Sequence, residues 1–128
     1  MSEIRVTTVS DTAGTGPVTL TKQHAAKAWH RFDASSGSPV TGDSFNISST
    51  TDGGTGIFTP SFTNDFANTK YSVGACASNG SASSTSYNLA FQNTAVGSFD
   101  IRNHRIISNA VALFDSVFNA YTVNGDLA

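Results

Sequence analysis

From Lys27 onward the chain is a succession of short runs in which apolar and polar residues alternate, broken by Gly, Asn, Asp, Ser and Pro. Successive side chains of a strand point to opposite faces, so such a run can bury one face and wet the other. A helix would need apolar residues three and four apart over ten or more positions. The best helical candidate, TKQHAA at 21–26, allows barely two turns. The chain is therefore read as strands joined by turns.

The run KAWHRF at 27–32 puts Ala28, His30 and Phe32 on one face and Trp29 and Arg31 on the other. DSFNISS at 43–49 reads as one strand with Phe45 and Ile47 on a shared face, and Asp52-Gly53 then signals a hairpin turn. IFTPSF at 57–62 groups Phe58 with Phe62 and sets Ile57 opposite, while Pro60, which cannot donate to a ladder, predicts an edge or bulged strand. TNDFAN at 63–68 predicts a polar corner with one helical turn pinned by Phe66. KYSVGACA, YNLAF and SFDIRNH continue the alternation, the last with Phe99 and Ile101 inward and Asp100 and Arg102 outward. RIISNAVALF fits neither period and predicts a loop crossing the core, then a strand; SVFNAYTVN is the last strand, ended by Gly125. Eight or nine short strands spaced roughly 8–14 residues apart predict an all-β fold, an antiparallel β-sandwich or jelly roll.

Residues 1–26 read differently. IRVTTV at 4–9 and PVTL at 17–20 are short extended pieces around the turn-rich SDTAGTGP. Two such strands are marginal alone. They predict an N-terminal attachment and oligomerisation segment, 1–26, ahead of a sandwich domain, 27–128, with Ile4, Val6, Val9, Val18, Leu20, His24 and Trp29 as candidate subunit or virion contacts. SNGSASSTS at 78–86 is the most flexible stretch by composition, so Asn79, Ser81, Ser83, Ser84 and Ser86 are candidate exposed-loop residues.

Composition narrows the functions. The 128 residues make one domain, with 12% charged residues and Ser, Thr, Asn and Gly supplying the polarity. A net charge of −2, from 7 basic and 9 acidic residues, lacks the clustered basic face that a nucleic-acid partner needs. No apolar run approaches the length of a membrane span, and MSEIRVTTV has no apolar signal region, so the expectation is a chain of cytoplasmic origin or one that leaves the cell by another route. The single Cys76 reads as a small core residue and makes neither an intrachain disulfide nor a Cys-based metal site.

The search for chemistry turns up turn residues. His24, His30 and His104 have no metal-ligand or HExxH spacing and read as surface or subunit-contact histidines. Asp33, Asp43, Asp52, Asp65, Asp100 and Asp115 sit in or beside turns, where Asp bonds its own backbone. No GxSxG elbow occurs, and the Gly-rich TDGGTG and TAGTGP lack the Lys-Ser/Thr pair of a phosphate loop. The expectation is no enzyme: no catalytic residue, no cofactor and no metal. The aromatic residues read mainly as core, except Trp29, whose face differs from that of Phe32 and predicts a second buried surface.

The succession KAWHRFD, then DSFNISSTTDGGTGIFTPSFTNDFANTKYSV, resembles a module of bacteriophage virion proteins, the tail-fibre and minor structural family. That family's pattern is KAWxxF, then DSFNxSSxTDxGTGxYTxxFT, then N-xx-Y-xV. Lys27, Ala28, Trp29, Phe32, Asp43, Ser44, Phe45, Asn46, Ser48, Ser49, Thr51, Asp52, Gly54, Thr55, Gly56, Thr59, Phe62, Asn68, Tyr71 and Val73 match it, and Phe58 departs from the usual Tyr. With the lead-in SDTAGTGPVTLTKQHAAKAW, the likeness covers about residues 8–75. It implies a virion surface component, a homotrimeric tail-fibre or head-spike protein, with other virion proteins and a host surface glycan as candidate partners. A capsid cement or decoration protein and a free carbohydrate-binding module are the alternatives.

Overall fold

The computed structural model describes residues 25–80 and 85–128. Nine strands follow in order: β1 (Ala28–Asp33), β2 (Val40–Phe45), β3 (Ile47–Asp52), β4 (Ile57–Phe62), β5 (Ser72–Ser78), β6 (Ser86–Gln92), β7 (Asp100–Ile107), β8 (Ala110–Leu113) and β9 (Phe118–Asn124). They form an antiparallel β-sandwich. Sheet A runs β2-β1-β9-β5 and sheet B runs β3-β4-β7-β6, with β8 added to β7 beyond the point where β4 leaves it.

The alternation read from the sequence sets the layers. Ala28, His30 and Phe32 of β1 and Asn119, Tyr121 and Val123 of β9 point inward, against Phe58, Pro60 and Phe62 of β4 and Ile101 and Asn103 of β7. Phe32 meets Phe58 at 5.2 Å between ring centroids, and Phe99 meets Tyr121 at 5.3 Å, so rings from the two sheets interlock edge to face.

Four local expectations change. DSFNISS is not one strand: Asn46 adopts φ 57 and turns the chain from sheet A into sheet B. Its side-chain oxygen accepts from the Asn64 N–H at 2.7 Å, which fixes this corner. Phe45 is consequently 53% exposed on sheet A, while Ile47 packs against the core, so the two share no face. Pro60 lies in an inner strand, between β3 and β7. The Phe62 N–H, two residues on and so on the same side, donates to Gly97 O at 2.8 Å. The donor that Pro60 lacks therefore faces β7 where the β4–β7 ladder, paired at Ile57 and Phe58, has lapsed. TNDFAN forms no helix; Phe66 makes an isolated bridge to Leu127. RIISNAVALF does not cross the core: β7 runs to Ile107, Ser108 and Asn109 turn with φ 48 and 64, and β8 returns beside it. Positive φ at both central residues is the two-residue turn whose twist matches antiparallel strands.

Candidate docking surfaces

The outer face of sheet A is nearly bare. One cross-strand row holds Phe45, Trp29, Thr122 and Gly74, and the next holds Asp43, Arg31, Ala120 and Cys76. Gly74, Cys76, Ala120 and Thr122 form a floor, and Trp29 and Arg31 rise beside it to make an open groove of about 470 Å³. The Arg31 guanidinium lies over the Phe118 ring, 4.5 Å from its centroid, so the charge covers apolar surface. Such a floor offers few hydrogen-bonding groups.

The outer face of sheet B carries a paired polar cluster, although the buried Nε of Arg102 has no hydrogen-bond partner among the described residues. Thr59 donates to Asp100 Oδ1 at 2.7 Å and Asn93 donates to Asp100 Oδ2 at 2.7 Å. The bonds from Asn93 and Thr59 hold the Asp100 carboxyl below its ordinary range.

A second apolar surface is the β7–β8 hairpin. Ile107 is 45% exposed and Val111 64%, with Ile106, Ala110 and Ala112 exposed around them. Ile106 and Ile107 are neighbours in one strand and point to opposite faces, so the tip is apolar on both sides. Arg105, one residue earlier, stacks over Phe114 at 4.3 Å.

Of the predicted contact residues, Trp29 is partly buried on the outer face of sheet A, where its alternation placed it. Ile4, Val6, Val9, Val18, Leu20 and His24 lie outside the described residues, as do Ser81, Ser83, Ser84 and the 4–9 and 17–20 extended pieces. The candidate helix at 21–26 is outside them except for Ala25 and Ala26, which are not helical. Asn79 is partly buried, and Ser86 is the first residue of β6, paired with Ile106, so it belongs to the sheet and not to the loop. Cys76 is exposed on the groove floor and fills no core position.

His30 is also not a surface residue. It is 1% exposed, stacked on Phe32 at 4.9 Å and edge-on to Tyr121 at 5.6 Å. Its Nε2 bonds Thr41 Oγ1 at 3.0 Å and its Nδ1 lies 3.3 Å from the Tyr121 hydroxyl. Burial lowers its pKa from 6.5 to about 4 and raises that of Tyr121. Stacked on Phe32, edge-on to Tyr121 and bonded to Thr41, the imidazole is part of the packed interface between the strands.

The aspartates hold turns and strand neighbours. Asp33 accepts from the Ser35 hydroxyl and N–H, Asp52 from the Gly54 N–H, and Asp115 from the Gly56 N–H at 2.6 Å. Among the described residues no group of three His, Cys, Asp or Glu side chains converges as metal ligands would. Compared with known proteins, the chain matches no protein-family model, no curated protein and no solved structure.

Sequence reasoning missed Phe45 and the hairpin. One signal of the hairpin was present, a Ser-Asn pair between apolar runs at 106–107 and 110–113.

Proposed function

We propose that this chain is a structural protein of a bacteriophage virion, a homotrimeric tail-fibre or spike component held through residues 1–26 and displaying its opposite end. One observation carries the reading beside the resemblance of residues 8–75. The chain enters the sandwich at Lys27, whose N–H donates to Val123 O at 2.8 Å, at the end where β9 finishes. The end of β5, the start of β6 and the apolar β7–β8 hairpin lie at the other end, where β1 finishes and β9 begins. Such polarity suits a subunit anchored at one pole and exposed at the other. The groove beside Trp29 supports subunit packing better than sugar binding. A glycan site needs several convergent hydrogen-bonding groups; on this floor Gly74, Cys76 and Ala120 bring none, Thr122 brings one hydroxyl, and the Arg31 guanidinium beside it lies over Phe118.

The test is electron microscopy of particles of the phage that encodes the chain, labelled with antibody raised against the purified protein. Label at a fixed position on every particle is expected. Antigen confined to the particle-free fraction of the lysate overturns the reading.

A further inference from the structure

We infer that the outer face of sheet B binds an acidic oligosaccharide, Arg102 taking the carboxylate of one sugar unit while Asp100, Gln92, Asn88 and His104 take its hydroxyls. The site stands on this chain's own residues; its use as a contact with a host surface rests on the virion reading.

The strand register builds the patch. Asp100, Arg102 and His104 project from β7 on the side away from the buried Ile101 and Asn103. Across the ladder Gln92 stands opposite Asp100, Ala90 opposite Arg102 and Asn88 opposite His104. Side chains so placed are roughly 7 Å apart along a strand and roughly 5 Å apart across it, so they share one surface. All but Ala90 are polar.

Arg102 carries the inference. Its Nε is buried without a hydrogen-bond partner, and the rest of its guanidinium makes no hydrogen bond, ion pair or ring contact among the described residues. The residues paired with it explain this, because Ile57 on β4 and Ala90 on β6 offer no side-chain acceptor. The other described arginines are placed differently: Arg31 lies over Phe118 and Arg105 over Phe114. A buried donor left without an acceptor costs stability, and native chains keep few of them. Arg102 gives up no bond when it turns to a ligand.

Asp100 narrows the ligand. The bonds from Asn93 and Thr59, and after them the nearby Arg102 charge, hold its carboxyl below its ordinary range. Those bonds also fix the carboxylate where it stands, so it does not close an ion pair with Arg102. A fixed carboxylate beside an unpaired guanidinium repels a second close anion and accepts from hydroxyls. A polyanion is therefore disfavoured, and a unit with one carboxylate among hydroxyls fits, the carboxylate matching the fork of the arginine. Asn88, Gln92 and His104 make no side-chain hydrogen bond among the described residues. Amide and imidazole side chains can both donate and accept, as sugar hydroxyls do. No aromatic ring stands in the patch to stack on a sugar, so one site binds weakly and repetition over several subunits supplies the avidity.

The test is a titration of the isotope-labelled full chain, followed by its amide chemical shifts. The probes are a short oligogalacturonate, a hyaluronan oligosaccharide and sialyllactose. At least one is expected to shift the amides of residues 88–92 and 100–104 ahead of all others. Methyl-esterifying the carboxylates of that probe should weaken its binding by about tenfold or more. Arg102→Gln should weaken it as much while the melting temperature holds or rises, because the free chain gives this guanidinium nothing to bond. No shift from any of the probes at millimolar concentration overturns the inference, and so does binding that survives esterification or the substitution. Equal shifts of the same amides by inorganic phosphate or acetate reduce the patch to a simple anion site and overturn it too. Each of these failures leaves the virion reading standing. Sugar binding by a chain that never labels the particle would instead remove that reading and keep the site.

Discussion

At the end where β1 begins, Phe62, Phe66, Tyr71 and Phe99 pack ring against ring, whereas at the end where β1 finishes the core stops at Asn103, Ser116 and Asn119. The aromatic end has centroid separations of 4.7 Å for Phe62–Phe66 and 4.8 Å for Phe66–Tyr71, and the Tyr71 hydroxyl lies 3.0 Å from the carbonyls of both Ala95 and Ser98. The C-terminus closes over it, with Ala67 N–H on Asp126 O and Ala128 N–H on Asp65 O. At the polar end Asn103 Nδ2 donates to Ser116 Oγ at 2.6 Å and to Asn119 Oδ1 at 3.0 Å, and Asn119 Nδ2 donates to Ser116 O at 3.0 Å. Apolar packing is non-directional and sets how stable the sandwich is; a buried hydrogen-bond network is directional and sets where its members point. The network lies where β8 turns back into β9, so it fixes the base of the apolar hairpin. Gly56 belongs to the same junction. Its φ is +66, and a Cβ there would come within 2.7 Å of Phe114 N and 2.8 Å of Asn103 O, which lets β4, β7 and the end of β8 meet.

Removing a ring at the aromatic end is the strongest test of this contrast. Phe99 is fully buried and contacts Phe62, Tyr71, Phe91 and Tyr121. Phe99→Ala is expected to cost about 3–5 kcal/mol in urea unfolding. A loss no larger than that of the polar-end variant below would break the division between the ends.

Between the ends lies His30, whose effect is next in size. Its folded pKa, about 4, is below its ordinary 6.5, so between these values the unfolded chain binds a proton that the folded chain does not. Stability from this group is complete above pH 6.5 and lost progressively as pH falls toward 4, by about 3 kcal/mol. Thr41, Thr50 and Tyr121 face the ring, and among the described residues no carboxylate bonds it. His30→Gln removes the titration, so the wild type should lose more stability than the variant across that window. Parallel pH profiles would show that the imidazole is wetter than its 1% exposure implies.

The polar end gives a smaller loss. Asn119→Ala leaves Asn103 Nδ2 and Ser116 Oγ each with one partner fewer and is expected to cost about 1–3 kcal/mol. Its distinguishing mark is local: amide hydrogen exchange should quicken at 103–116 ahead of the aromatic end. Uniform acceleration over the whole chain would mean that the network serves general stability alone.

How much of this was legible depends on what each element is made of. The inward set of Phe32, Phe58, Phe62, Phe99 and Ile101 follows from period-2 alternation, because burying one face is a local rule. The sandwich follows from it. Phe45 misled because alternation assumes an unbroken strand, and a single left-handed Asn46, held by a residue 18 positions away, reverses the face. His30 misled for a related reason: polarity suggested surface, but Thr41, Thr50 and Tyr121, all distant in sequence, supply its partners. The groove was half legible. Trp29 stood out by its face, yet the floor beside it depends on β9 bringing β5 next to β1, which no local pattern gives.

The smallest expected effect concerns two positive-φ positions, one at each end. Asn46 is held by Asn64 through three hydrogen bonds, to and from backbone and side chain, whereas Ser108 in the β7–β8 turn has φ 48 as part of a two-residue turn. Asparagine tolerates the left-handed region better than serine, which carries no such preference. Ser108→Asn should therefore stabilise the chain by a few tenths of a kcal/mol, read as a small rise in melting temperature. The hairpin contributes little apolar burial within one copy, so the gain is expected to be local. If the same substitution raised stability by more than about 1 kcal/mol, the turn would be storing strain comparable to a whole buried hydrogen bond. The hairpin would then be poorly fixed in the free subunit, and the polar network would not be what aims it.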